Sequence, residues 1–180
     1  MLQSQHFTFL RRSLIPACAV VLLAAGICGR IARAEDGYEL WLRYRLEPDP
    51  AMRAAYWREC QAVVISTPSP TLRAARDELM RGIAGICGRQ PDTEDRGAGT
   101  IFLGTPAEAE AIHMLVAPAE FARLGPDGFI LRAGRWHGQS VLVVAGQTEV
   151  GALHGAFALL RRMQLRRPHI HIQARLIGPH

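Results

Sequence analysis

The clearest change of period lies late in the chain. Phe129-Ile130-Leu131 and Val141-Leu142-Val143-Val144 are short apolar runs separated by residues 134–138, which hold two glycines, and the pattern predicts a hairpin. Gly125-Pro126-Asp127-Gly128 precedes it as a turn, with Pro presetting φ and Gly free to take φ > 0. The second strand runs through Gly146-Gln147-Thr148 into a predicted helix, where Val150, Leu153, Phe157 and Leu160 recur every three or four residues. Upstream, residues 37–44 alternate, with Tyr38, Leu40, Leu42 and Tyr44 on one face of a first strand. Pro48-Asp49-Pro50 interrupts the chain, residues 51–59 read as a short helix, and residues 61–65 as a β-branched strand. Ser69 as N-cap and Pro70 at N1 open a long helix with an apolar stripe of Leu72, Ala75, Leu79, Ile83 and Ile86 and a stop at Gly88. Residues 89–99 read as a loop and 100–103 as a strand. Thr105-Pro106-Ala107-Glu108 has the form of a capping box opening a helix over 106–114, with one more turn over 118–124. Beyond Gln164, Arg166-Arg167-Pro168 breaks the helix and residues 169–172 alternate like a strand. The order β, β, α, β, α, β, β, α predicts an α+β fold: a mixed β-sheet with helices packed mainly on one face.

The start of the chain follows a different logic. Arg11-Arg12 precede an apolar run over 14–27, and Ala32-Arg33-Ala34 places small residues at −3 and −1 of a cleavage site before Glu35. That is the layout of a secretory signal peptide over 1–34. The run is too short for a span and is broken by Pro16 and Gly26, so no stable membrane span is expected after cleavage. The expected organisation is a leader over 1–34, one domain over 35–165 and a C-terminal tail over 166–180. The location is periplasmic or extracellular. An apolar share of 49% against 21% charged residues gives one domain a sizeable core and excludes a wholly disordered chain.

Removing the leader changes the charge picture. All basic residues are Arg, and the net charge of +5 includes Arg11, Arg12, Arg30 and Arg33 with no leader acid, so the mature domain is close to neutral. Nucleic-acid binding needs a basic face kept in the folded domain, and none is expected. Cys18 and Cys28 leave with the leader. Cys60 and Cys87 remain, either paired in an oxidising compartment or as two separate buried thiols.

No residue set convenes a catalytic, cofactor or metal site. A glycosidase needs two carboxyls about 5–10 Å apart, yet each acid has a structural reading. Glu108 is a capping-box partner, Glu149 lies in a helix's first turn, Asp127 forms a turn, and Asp77-Glu78 lie on a helix's polar side. His169 and His171 share a strand face without an accompanying carboxylate or Cys motif, and His154 is expected to pack closely against the sheet between Gly151 and Gly155. Ser66 and Ser140 sit at strand edges without a nucleophile elbow. Gly82, Gly85 and Gly88 lie in or end a helix, so they form no phosphate loop. Arg161-Arg162 and Arg166-Arg167 suit a helix C-terminus and lack interleaved aromatics.

Several blocks in order resemble the N-terminal domain of the α-glucuronidases that trim glucuronosyl groups from xylan fragments. They are Gly37-Tyr38-Glu39-Leu40-Trp41-Leu42-Arg43-Tyr44, the block from Ser69 to Leu79 followed by Gly82, Gly104-Thr105-Pro106, the block from Leu124 to Arg132, and Val150-Gly151-Ala152-Leu153-His154-Gly155-Ala156-Phe157 running into Leu160-Arg161-Arg162-Met163-Gln164. The final block alone is also similar to the domain preceding the barrel of β-hexosaminidases. The sequence departs from the family at His154, where Tyr is common, and at Gly146-Gln147, where Asn usually precedes Thr148. The resemblance implies an α/β sandwich whose catalytic carboxylates lie on a following (β/α)₈ barrel, so no catalytic position carries over. The expectation is a non-catalytic, truncated N-terminal domain whose natural partner is that catalytic domain. The alternatives are a free-standing module for xylan-derived oligosaccharides, with Trp41, Trp57 and Trp136 as stacking residues, or an envelope interaction protein.

Overall fold

The computed structural model describes residues 44–107 and 109–166. The expected first strand up to residue 43, Trp41, Glu108, and the tail from Arg167 on with His169 and His171 therefore lie outside the described residues, and Tyr44, the last residue of that expected strand, is described but not in a strand. Five helices and four strands succeed one another among the residues described: α1 (Pro50–Glu59), β1 (Ala62–Val64), α2 (Pro70–Cys87), β2 (Thr100–Gly104), α3 (Glu110–Leu115), α4 (Pro118–Phe121), β3 (Phe129–Trp136), β4 (Gln139–Gly146) and α5 (Glu149–Gln164). α2 has the expected ends. Ser69 Oγ accepts from the Leu72 N–H at 3.1 Å, and Gly88 closes the helix at φ 68° with its N–H on the Ala84 carbonyl.

The strands form one mixed sheet in the order β1-β2-β4-β3. β2 runs parallel to both its neighbours, and β3 is antiparallel to β4. The long helices α2 and α5 cover the face that carries Val63, Ile101, Leu103, Leu131, Leu142 and Val144. α1 joins this layer, its Tyr56 hydroxyl donating to the Met163 carbonyl at 3.1 Å. The short helices α3 and α4 close the opposite face, where Ile112, Val116, Phe121 and Leu124 meet Phe102, Ile130, Val141 and Val143. The fold is thus the expected α+β sheet with its long helices on one face. The unbroken burial of β2, and of β4 from Val141 onward, reflects cover on both sides.

Three local expectations change. The hairpin does not turn across residues 134–138: β3 continues through Gly134 to Trp136, and His137-Gly138, at φ 47° and 79°, make a two-residue turn whose twist suits the strands. Gly134 stays in the strand with the Leu115 side chain packed over it, the nearest methyl 2.7 Å from where a Cβ would lie. Next, the helix expected over 106–114 begins only at Glu110, after an extended, buried Ala109 with no side-chain cap. Burial of Ala109, Ala111 and Ile112 on the sheet outweighs the capping signal, because so short a helix is held by packing rather than by its ends. Last, α5 begins after Thr148 as expected, with the Thr148 hydroxyl accepting from Gly151 N–H at 3.1 Å, but the stripe is rotated. Gly151, Ala152, Gly155, Ala156, Leu159, Leu160 and Met163 are buried, while Val150 and Phe157 are 44% and 37% exposed. Small residues bring the helix backbone close: a Cβ on Gly151 would lie 2.4 Å from the Gly128 carbonyl oxygen.

Candidate functional site

The carboxylates are the first place to look for glycosidic chemistry, and the fold gives the notable ones structural partners. Glu149 Oε2 accepts from Ser69 Oγ at 2.7 Å, tying the N-terminus of α5 to that of α2. Asp127 sits in the turn before β3, where its backbone carbonyl lies 3.3 Å from His154 Nδ1. Asp77 pairs with its neighbour Arg76 at the surface. Glu78 departs from its expected place on the polar side of α2: it is buried at 4%, receiving the Tyr44 hydroxyl at 2.5 Å and Arg81 at 2.8 Å. Tyr44 lies against Gly85 of α2, and the pairing with Tyr44 and Arg81 compensates the desolvated carboxylate. Glu120 grips Arg132 through both oxygens, at 2.8 and 2.5 Å.

A general acid must hold its proton near neutral pH, which requires a raised pKa. The shifts found here run the other way. Arg132 beside Glu120 holds that carboxyl below the usual range, and Arg96, helped by the Thr93 and Glu94 N–H groups, does the same for Asp92. Both are suited to ion pairing rather than to proton donation.

An open cleft of about 660 Å³ lies between the end of α1 and the loop that precedes β2. Trp57 forms one wall and Gln61, Gln90, Asp92 and Arg96 supply polar groups. The loop strand is fixed, since Val63 N–H donates to the Asp92 carbonyl and Asp92 N–H to the Gln61 carbonyl, each at 2.9 Å. Arg89 lies over the Trp57 ring, 5.6 Å from its centroid. Trp136 is placed differently: it packs edge-on against Phe102 on the α3–α4 face, with His137 beside it. Of the tryptophans weighed for stacking, Trp57 lines this cleft.

Other reactive types are dispersed. Ser66 and Ser140 are exposed strand-end residues, and Gly82, Gly85 and Gly88 belong to α2 and its cap. His154 is exposed rather than packed against the sheet, because Gly151 and Gly155 occupy that side of α5. Arg161 and Arg162 lie in the last turn of α5, and Arg166 pairs with the buried Glu47 at 3.3 Å. Cys60 and Cys87 are free and buried in one core cluster. Burial pushes the Cys87 thiol up to about 11 and raises Cys60 further, with Cys87 adding to the effect. Such thiols are poor nucleophiles. Among the described residues, no group of three His, Cys, Asp or Glu side chains is placed to hold a metal ion.

Comparison with known proteins gives this scaffold a context. Residues 40–159 match the glycosyl hydrolase family 67 N-terminus. The chain belongs to this family. Alpha-glucuronidase A of Emericella nidulans is 34% identical over 151 residues, covering 79% of this chain and 17% of that protein. The alpha-glucuronidase of Hypocrea jecorina is 32% identical over 132 residues, with 71% and 15% covered. The chain thus spans about one-sixth of the length of the curated relatives it matches. A solved family GH115 4-O-methyl-alpha-glucuronidase with specificity for decorated arabinogalactans is similar at a TM-score of 0.47 and 22% identity, over 58% of this chain and 13% of that one.

Proposed function

We propose that this chain is the non-catalytic N-terminal domain of an exported α-glucuronidase-like glycoside hydrolase of xylan breakdown, inactive by itself. Its partner is a catalytic domain of the (β/α)₈ type that supplies both carboxyls and the sugar contacts. The observation that carries this reading is the match of residues 40–159 to the family 67 N-terminus, with curated relatives of which the matched segment is only 15–17%. The engaged carboxylates support it, since Glu78, Glu120, Asp92 and Glu149 all hold structural partners. Export rests on the leader read from residues 1–34, and no described helix is long and apolar enough to cross a membrane. Incubating the purified protein with aldouronic acids tests the reading. No release of glucuronic acid is expected, and enzymatic release by this chain alone would overturn it.

The Trp57 cleft supports a second reading, in which the domain holds xylo-oligosaccharides. An indole with planar amide and carboxylate groups beside it is suited to a sugar ring. Titrating xylo-oligosaccharides while monitoring tryptophan emission decides this point. A saturating change that Trp57→Ala abolishes would support it, and an unchanged spectrum at millimolar sugar would exclude it.

A further inference from the structure

Cys60 and Cys87 have no part in the functional reading, yet the topology brings them to one place. β1 and β2 are parallel neighbours joined through α2, so α2 runs back along the sheet and ends where β1 begins. Cys60 stands two residues before β1, and Cys87 is the last residue of α2. The returning chain fixes their closeness: Asp92, five residues after Cys87, bridges to Ala62, two residues after Cys60, and its carbonyl accepts from Val63 N–H at 2.9 Å. Both thiols are buried in the same cluster, at 0% and 4% exposure. They also share a neighbour, the Tyr56 hydroxyl, which burial raises first and Glu47 next, with both thiols adding to the effect. The cover over this end of the sheet is made last. Tyr56 donates to the Met163 carbonyl at 3.1 Å, and Met163 lies in the last turn of α5. Once the cover is on, burial holds the Cys87 thiol up at about 11 and the Cys60 thiol higher still. Disulfide exchange needs a thiolate and an open approach, so these thiols react before the fold closes and not after it.

We propose that Cys60 and Cys87 join in a disulfide when the chain folds in an oxidising compartment and stay as thiols when it folds in a reducing one, so that the closed domain keeps a record of where it folded. The inference takes its compartment from the export reading above and adds to it the chemistry of the core. The two free thiols of the structure are the reduced form. The reaction is exchange with a disulfide-bearing oxidant. One cysteine thiolate attacks the oxidant's disulfide and releases the first thiol. The second cysteine then attacks the mixed disulfide and releases the other half as a second thiol. The bond between Cys60 and Cys87 forms, the oxidant's own S–S bond is lost, and two electrons and both thiol protons pass to the oxidant. The bridge closes a loop that contains β1 and α2, which restricts the unfolded chain and ties the end of α1 to the end of α2.

The test uses the full chain carrying Cys18→Ser and Cys28→Ser, so that only the core pair is read. One sample is unfolded, reduced and refolded in mixed oxidised and reduced glutathione. A second is refolded with reductant and moved to the same buffer only when native by circular dichroism. The first should become a monomer lighter by two hydrogen atoms, with no thiol titratable in denaturant and a Cys60–Cys87 linked peptide in an acid digest. It should melt about 5–15 °C above the reduced form. The second should keep both thiols, oxidising about tenfold more slowly or less than the unfolded chain. Two thiols, or one glutathione on each cysteine, after oxidative refolding would overturn the pairing. Equal oxidation rates for the folded and unfolded chains would overturn the record. Cys60→Ala should refold without the rise in melting temperature, and a rise that survives this change would also count against the pairing. The experiment is run outside the cell, so its failure leaves the export and inactive-domain readings standing.

Discussion

Glu120 shows how a single carboxylate is spent on structure. It receives both arms of Arg132 from β3, and one of its oxygens also accepts from the Ala117 N–H at the start of α4, so it ties α4 to the sheet. Its folded pKa lies below the ordinary glutamate range, with Arg132 the main cause. A depressed value stabilises the fold above the unfolded pKa of about 4.3 and loses that contribution as pH falls through the folded pKa. Glu120→Gln should therefore cost up to about 1 kcal/mol at pH 7, for a pair this exposed. The difference from the parent should shrink as pH falls below about 4.3 and through the folded pKa, as thermal melts across pH would record. Gly151 makes a steric demand instead. Adding a methyl group 2.4 Å from a backbone oxygen forces α5 away from the turn at Gly128, so Gly151→Ala should destabilise by about 1–3 kcal/mol in urea titrations. The gain in helix propensity of up to about 1 kcal/mol is too small to offset it.

At the scale of elements, α5 and its approach form the most tightly specified part of the fold. The Thr148 hydroxyl accepts from Gly151 N–H and donates to the Pro126 carbonyl at 2.5 Å, coupling the helix cap to the turn before β3. Gln147, with its amide oriented to satisfy its neighbours, donates to the Phe121 and Leu124 carbonyls and holds the end of α4. Thr148→Ala should lower stability by about 1 kcal/mol and increase amide exchange in both the first turn of α5 and residues 125–128. Much of this region is legible in the sequence, because proline, glycine and a capping hydroxyl act locally. α2 is legible for the same reason, with Ser69, Pro70 and Gly88 bounding a stripe that is buried throughout. The inner face of α5 is not. Its buried positions are largely Gly and Ala, whereas periodicity gives weight to large apolar residues such as Val150 and Phe157. The burial of Glu78 escapes a local reading because it depends on Tyr44, 34 residues away. The second helical cover has a readable signal, the unbroken apolar runs of β2 and β4, which mark strands buried on both faces.

At the scale of the whole molecule, the two faces share one sheet, and β2 and β4 contribute to both clusters. Neither layer can melt without removing the floor of the other. Unfolding should be a single transition, with circular dichroism and tryptophan emission giving coincident curves, since Trp57 reports on the α1 end and Trp136 on the α3–α4 face. Two separated transitions would show that the layers are independent. The candidate chemistry looks different at this scale too. The fold brings Trp57 and the Asp92 loop together at one end of the sheet, a juxtaposition that spacing along the chain does not reveal.

The strand order also sets a timetable for synthesis. β4 lies between β2 and β3, yet it is the last strand described, and α5, which packs on α2, comes after it. A nascent chain that has reached Gly104 holds β1 and β2 with one long side of β2 unpaired, and α2 with its helical neighbour unmade. No complete core can close until residues near Gln164 have left the ribosome. The emerging polypeptide thus lacks a closed core through most of the residues described, and holds apolar strands and helices exposed until the last of them is made.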